Sequence, residues 1–278
     1  MPNVLTETRD RAFVVAINRP EARNAVDGET AGLLLEAVEA FRADDSLDVL
    51  ILTGVGDPSA GSLAGPRRAP VRGQAGQAAF CAGADLKRGE TLLARPGAQE
   101  SGPMGFSRVT DLEKPTIAAV NGYCLAGGLE LACWCDFRIA DESAQFGVLN
   151  RRWGVPLLDG GTQRLPDIVG LGNALYLIET GVMIDARHAL RMGLVQDVVA
   201  KGRALDRALE LAAAMSTYPQ LSLRNDRRAA IEGLSLPLPE GLDLERRVHE
   251  ASLSDPAMAE GLRRYREGDR PPPPRAPE

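Results

Sequence analysis

Two stretches of this chain are apolar without alternation. "LDVLILTG" runs from Leu47 to a closing Gly54, and "KPTIAAVNG" from Lys114 to Gly122. A strand with one wet face alternates polar and apolar residues, so an unbroken run marks a strand covered on both faces. Such strands lie inside parallel sheets and need crossover segments, usually helices, between them. The intervening sequence fits that demand. "VDGETAGLLLEAVEAFRAD" puts Leu33, Leu34, Ala37, Val38 and Phe41 on one helical face, with Asp27 as its N-cap. Phe13 to Ile17 reads as a further strand closed by Pro20, "GGLELACWC" as a helix, and "DFRIADESAQFG" as a return to strand. The fold class is α/β.

Residues 55–78, rich in Gly, Pro, Ala and Arg, break all periodicity and read as a mobile insertion within the domain. The core resumes at "AFCAGADL", with a helix expected after Asp85. Residues 91–108 are polar and carry Gly and Pro, which suits a flexible flap. The last third is helical in pattern, over 171–180, 185–192, 204–216, 221–233 and 242–267, and "RPPPPRAPE" is a disordered or polyproline tail. The organisation expected is a core over 1–195, a helical C-terminal region over 196–268 and a tail over 269–278, with no internal repeat.

The net charge of −6 argues against a nucleic-acid partner. Only three of the 32 basic residues are lysine, a skew of composition rather than a basic patch. Four cysteines, Cys81, Cys124, Cys133 and Cys135, sit in apolar contexts without a Cys-x-x-Cys pair, and the histidines are His188 and His249 alone. That is poor material for a zinc site and reads as reduced core thiols. With no apolar signal region and no run of ~18 apolar residues, a membrane span is not expected and a cytoplasmic location is.

Chemistry concentrates at two joints of the same form, each a buried strand that stops at small residues before a helix. Phe80-Cys81-Ala82-Gly83-Ala84-Asp85 leads to Leu86, and Ala126-Gly127-Gly128-Leu129-Glu130 follows "AAVNGY". A helix N-terminus leaves backbone N–H groups unpaired, and small residues let a ligand oxygen approach them. Two such ends meeting would make an oxyanion hole; small residues there also serve tight packing alone. Glu130 is the one charge in "VNGYCLAGGLELACWC". A carboxylate set in apolar sequence is costly unless it has work to do.

Together, "INRPEARNA", "LTG", "FCAGADL", "KPTIAAVNGYCLAGGLELACWCDFRIA", "FGV", "GGTQRL" and "GLVQDVV" resemble the crotonase, or enoyl-CoA hydratase/isomerase, superfamily, from about Phe13 to Tyr265. The resemblance implies a crotonase (ClpP-like) spiral of ββα units with a helical C-terminal trimerisation region. It implies a homo-trimer or dimer of trimers, and an acyl-CoA thioester as substrate. No cofactor is implied beyond the coenzyme A of that substrate, and no metal. The thioester oxygen would accept from the N–H groups of Ala84 and Gly127. Glu130 matches the first catalytic carboxylate, its pKa raised by burial and lowered by neighbouring donors.

The second family glutamate is replaced by Asn150, which can hold a water but does not titrate usefully. Asp159 is then either a helping acid or the N-cap of a helix beginning near Gly160. Coenzyme A contacts map to Ala22, Arg23, Ala82, Asp85, Leu86 and Lys87, with Tyr265 over the adenine end. Arg23 and Lys87 read equally as surface cations. Neither histidine has the setting a Ser–His–Asp hydrolase needs. The activity implied is hydration of 2-enoyl-CoA; the alternatives are a double-bond isomerase using one carboxylate and an acyl-CoA-binding protein with little turnover.

Overall fold

The computed structural model describes residues 1–56, 78–270 and 274. The insertion expected over 55–78 and the Pro-rich tail therefore lie almost wholly outside the described residues. Ten strands and eleven helices are described. In chain order they are β1 (Val4–Arg9), β2 (Ala12–Ile17), α1 (Gly28–Ala43), β3 (Val49–Gly54), β4 (Ala79–Cys81), α2 (Gly89–Ala94), α3 (Ala98–Ser101), β5 (Thr116–Val120), β6 (Tyr123–Leu125) and α4 (Gly127–Trp134). There follow β7 (Phe137–Asp141), β8 (Gln145–Gly147), α5 (Gly161–Val169), α6 (Leu171–Thr180), β9 (Met183–Asp185), α7 (Ala186–Arg191), β10 (Asp197–Val199), α8 (Ala204–Met215), α9 (Gln220–Gly233), α10 (Leu238–Leu253) and α11 (Pro256–Arg266).

The strands form two sheets, ordered β1-β2-β3-β5-β7-β10 and β4-β6-β8-β9. Pairing is parallel except at the β1–β2 hairpin and the β8–β9 edge. The consecutive pairs β3/β4, β5/β6 and β7/β8 each send one strand to either sheet, so the chain winds as a spiral. The unbroken apolar runs now have their cause. In β3, Leu50 and Leu52 face the main core, while Val49 and Ile51 face a second core under α8; β5 divides in the same way, with Ala118 and Val120 against Ile117 and Ala119.

Two buried cations fix helix ends. Lys114 Nζ donates to the carbonyls of Phe41 (3.0 Å) and Asp44 (2.7 Å), closing α1 at its negative pole. Arg138 does the same for α4, donating to the carbonyls of Ala132 and Cys135.

Several expectations need correcting. No helix follows Asp85 directly; the chain turns through Leu86–Arg88 and α2 begins at Gly89. Residues 91–108 are not a loose flap: they hold α3 and bury Leu92, Ala98, Met104 and Phe106, apolar residues too sparse to show a period. The stretch "DFRIADESAQFG" is two strands in different sheets, and 242–267 is two helices, parted where the Asp255 side chain caps Ala257 N–H ahead of Pro256. β1, β6, β9 and β10 were not anticipated. The boundary at 195/196 cuts the core layer, because β10 pairs with β7 and α8 covers the six-stranded sheet. No helix among the described residues is long and apolar enough to cross a membrane.

Candidate active site

Every residue of α4 is buried, Glu130 included at 3% exposure. The helix begins hard against β4: a Cβ on Gly128 would stand 2.1 Å from the Cys81 carbonyl oxygen, so only glycine fits. Before it, Ala126 is held at φ 51° and ψ −122°, an unfavourable region for a residue with a Cβ, and its N–H is spent on Gly147 O at 2.8 Å. Such a residue costs about 1–3 kcal/mol, and the turn it makes leaves the Gly127 N–H without an acceptor among the described residues.

The second free amide is Ala84's. On either side of it, Val26 N–H donates to Gly83 O (2.9 Å) and Asp85 N–H donates to Val26 O (2.8 Å). These parallel-bridge bonds hold the backbone and leave Ala84 N–H unspent among the described residues. The two loops touch: a Cβ on Gly83, itself at φ +99°, would lie 3.1 Å from Gly127 N. The unpaired donors therefore sit on adjoining segments. One belongs to a helix N-terminus, as anticipated; the other belongs to a bridge, not to a helix.

Arg19 is what ties the first loop down. Buried at the end of β2, it reaches Asp85 at 2.9 Å and Asp27 at 3.2 Å, and donates to Ala25 O. It was missed in the sequence, where Asp85 lies 66 positions away and no local pattern joins them.

Glu130 Oε1 accepts the N–H groups of Asp159 (2.9 Å) and Gly161 (2.8 Å); Oε2 has no hydrogen-bond partner among the described residues. Burial pushes its pKa up to about 7, against the pull of these two donors and with help from the neighbouring Asp159 charge. Beside it is a cavity of ≈ 10 Å³ walled by Ala126, Val148, Leu157 and Leu165, about the room one water needs. The carboxylate thus offers one fixed oxygen and one free one, at a pKa fit to take and return a proton near neutrality.

Asp159 is buried too, and it is not a helix cap: α5 is capped by Gly160. Its Oδ1 accepts the N–H of Met104 (2.9 Å) and the hydroxyl of Ser107. Burial raises its pKa, against the bonds from Ser107 and Met104. Arg164, which sequence gave no role, donates to Asp159 O (3.1 Å) and Ser107 O (2.8 Å). Asn150 is buried; its Nδ2 donates to Val155 O (2.7 Å), while its Oδ1 has no partner among the described residues. With the nitrogen committed, Asn150 presents an acceptor.

The coenzyme A candidates fall on two adjoining loops. Ala22 is half-buried in a 3-10 turn, Arg23 is exposed with its guanidinium 5.6 Å from the Tyr123 ring, and Ala82 N–H donates to Arg23 O (3.1 Å). Leu86 and Lys87 are exposed, whereas the Asp85 carboxylate is taken by Arg19 and by Lys87 N–H. Tyr265 is on α11, against Arg270 at 4.3 Å, and no hydrogen bond or ring contact ties it to these loops. His188 and His249 lie elsewhere, and the ring of His249 bonds Asp226 and Glu245 O. No three His, Cys, Asp or Glu side chains among the described residues come together as a metal-ligand set.

Comparison with known proteins points the same way. The family model described as enoyl-CoA hydratase/isomerase matches residues 71–273. A crotonyl-CoA hydratase of Syntrophomonas wolfei is 35% identical over 268 residues, 95% of each chain. A probable enoyl-CoA hydratase of Rhizobium meliloti is 36% identical over 93% of each. The crystal structure of an enoyl-CoA hydratase from Mycobacterium marinum superposes with a TM-score of 0.84 at 31% identity, covering 98% of both chains.

Proposed function

This chain belongs to the enoyl-CoA hydratase/isomerase family, and on that premise we propose that it hydrates 2-enoyl-CoA thioesters to 3-hydroxyacyl-CoA thioesters. One observation carries the reading: a buried carboxylate, Glu130, with one oxygen pinned and the other free, on the helix whose first N–H is unspent.

The steps follow from that geometry. The thioester oxygen accepts from Ala84 and Gly127, which favours the enolate over the neutral thioester; each such donor is worth roughly 3–4 kcal/mol in the transition state. Glu130 Oε2 takes a proton from a water as its oxygen bonds to C3, and the C2=C3 electron pair moves onto the thioester oxygen. The enolate then collapses, and C2 takes the proton back from Glu130. One water is added and Glu130 ends as it began, so a single titrating residue suffices. Asn150 Oδ1 supplies a second acceptor for the water, a part an amide plays without titrating.

The turn at Pro20–Arg23 and the loop Ala82–Lys87 hold the coenzyme A portion, with Arg23 and Lys87 as the cations for its phosphates. The protein works as a homo-trimer or dimer of trimers. In support, α9 to α11 expose Leu221, Ile231, Leu234, Leu238, Leu242, Leu253 and Leu262, apolar area that a neighbouring copy would cover and that would bring Tyr265 to a neighbour's site. Four unpaired buried thiols support a cytoplasmic setting.

Asn150 in place of an acid favours one second reading, an isomerase in which Glu130 moves a proton between C2 and C4. The test is spectroscopic. Hydration removes the conjugated absorbance of crotonyl-CoA, whereas isomerisation of a 3-enoyl thioester creates it. Loss of absorbance with crotonyl-CoA is the expected result. A rise with the 3-enoyl substrate alone would give the isomerase, and saturable binding with neither change would give the non-enzymatic reading.

A further inference from the structure

Asp159 joins two parts of the site that are distant in sequence. Its backbone N–H donates to Glu130 Oε1 at 2.9 Å, and its Oδ1 receives Met104 N–H at 2.9 Å and the Ser107 hydroxyl, 55 and 52 positions away. Met104 is buried against Gly127, whose amide is free: a Cβ on Gly127 would stand 3.1 Å from its Cε and 3.2 Å from its Sδ. The contacts close a ring. Gly127 touches Met104, Met104 is tied to Asp159, Asp159 is tied to Glu130, and α4 carries Glu130 back to Gly127. Arg164 doubles the strap by holding Asp159 O and Ser107 O with one guanidinium. The segment cannot drop its bonds to Asp159 cheaply, because a buried donor left unpaired loses its whole solvation.

We propose that Asp159 is a positioning residue, a latch that sets the seating of residues 102–107 over Gly127 and the aim of Glu130 together, and not a second proton donor. Its catalytic consequence rests on the hydratase reading above. The latch needs only an acceptor at Oδ1, whereas an acid needs the carboxyl itself. An acyl chain large enough to displace Met104 pulls on Asp159, and through it on the bond that aims Glu130. Acyl size therefore acts on kcat as well as on KM.

Trp134 reports the segment without any reference to turnover. It is buried, Phe106 packs edge-on to it at 4.5 Å, and its indole N–H donates to Val109 O at 2.7 Å. The chain has one other tryptophan, the 72% exposed Trp153. In a Trp153→Phe background, Asp159→Ala, Asp159→Asn and Ser107→Ala are compared by emission and by crotonyl-CoA kinetics. Asp159→Ala is expected to shift the Trp134 emission to the red and lower kcat roughly tenfold to a hundredfold, with Ser107→Ala moving both less far. Asp159→Asn, whose amide oxygen accepts the same two bonds, restores the emission and most of the turnover. If Asp159→Asn is as slow as Asp159→Ala while the emission stays put, Asp159 is an acid and the latch is wrong. Unchanged emission in both Asp159→Ala and Ser107→Ala overturns the latch whatever the kinetics. Should Asp159→Ala not fold, the other two variants decide by the same criteria. A background protein with no hydratase activity sinks the functional reading, and the emission still decides the latch.

Discussion

Gly161 and Glu130 are in closer contact than any side chain on residue 161 would permit. The Gly161 N–H donates to Glu130 Oε1 at 2.8 Å, and a Cβ on Gly161 would stand 2.8 Å from Glu130 Cγ and 3.0 Å from Oε1. The glycine that begins α5 is thus part of the means by which a carboxylate is kept, aimed, inside the core.

Gly161→Ala should fold and lose activity. The added methyl meets a side chain that can move, so it pushes the carboxylate aside rather than breaking the backbone. A displacement near 1 Å is enough to cost about 100-fold in kcat. Crotonyl-CoA kinetics beside a thermal melt check this: a large kinetic loss with a small shift in Tm is expected.

Glu130→Gln should abolish turnover, leave the fold intact and change how stability depends on pH. The folded pKa of Glu130, about 7, lies above its ordinary 4.5. Below the lower value the group is protonated both folded and unfolded. Between 4.5 and about 7 the unfolded chain ionises while the folded protein stays protonated, so stability falls across that window by about 3 kcal/mol and is level above it. The glutamine carries no such slope. Urea unfolding of both proteins between pH 5 and 8 should show the gap growing in favour of the variant up to about pH 7 and holding level beyond it. For the wild type, kcat/KM for hydration should rise with pH through about 7, as the base ionises.

Arg19→Gln tests the anchor of the Ala84 loop. Removing this guanidinium leaves half-buried Asp85 without its cation and leaves buried Asp27 with Arg88 as its remaining one. Breaking such a pair from one side typically costs about 3–5 kcal/mol. Denaturant midpoints at neutral pH measure that loss. A fall in kcat under conditions where the variant remains folded would locate part of the effect in the oxyanion site.

Met104→Ala should trade stability for room. Met104 is fully buried against Gly127, and large-to-small changes at such sites cost about 2–5 kcal/mol. The space gained lies beside Gly127, the residue whose free amide is proposed to hold the thioester oxygen. Relative kcat/KM across a series of 2-enoyl chain lengths should therefore move towards longer chains.

Much of this was legible before any coordinates. Phe13–Ile17, Leu47–Gly54 and Lys114–Gly122 were legible as strand segments because burial on two faces removes alternation. Asp27 and the helices at 171–180 and 204–216 followed from capping and the 3.6-residue period. Glu130 stood out because a lone charge in core sequence needs a reason. The three-residue strands β6, β9 and β10 were not legible, since three residues cannot display a period. Nor was the order of residues 91–108, whose few apolar side chains are buried one at a time.

The sequence by itself determined that the chain is α/β, where its buried strands run, and which carboxylate is out of place. These are local properties, written in neighbours three or four positions apart. Tertiary structure alone decided that Ala84 and Gly127 lie on touching loops, that Arg19 anchors one of them, and that Asp159 reaches Met104 rather than capping α5. Those pairings span 43 positions or more, and they rest on loop contacts, on an ion pair and on a carboxylate meeting a backbone N–H, none of which a local pattern announces.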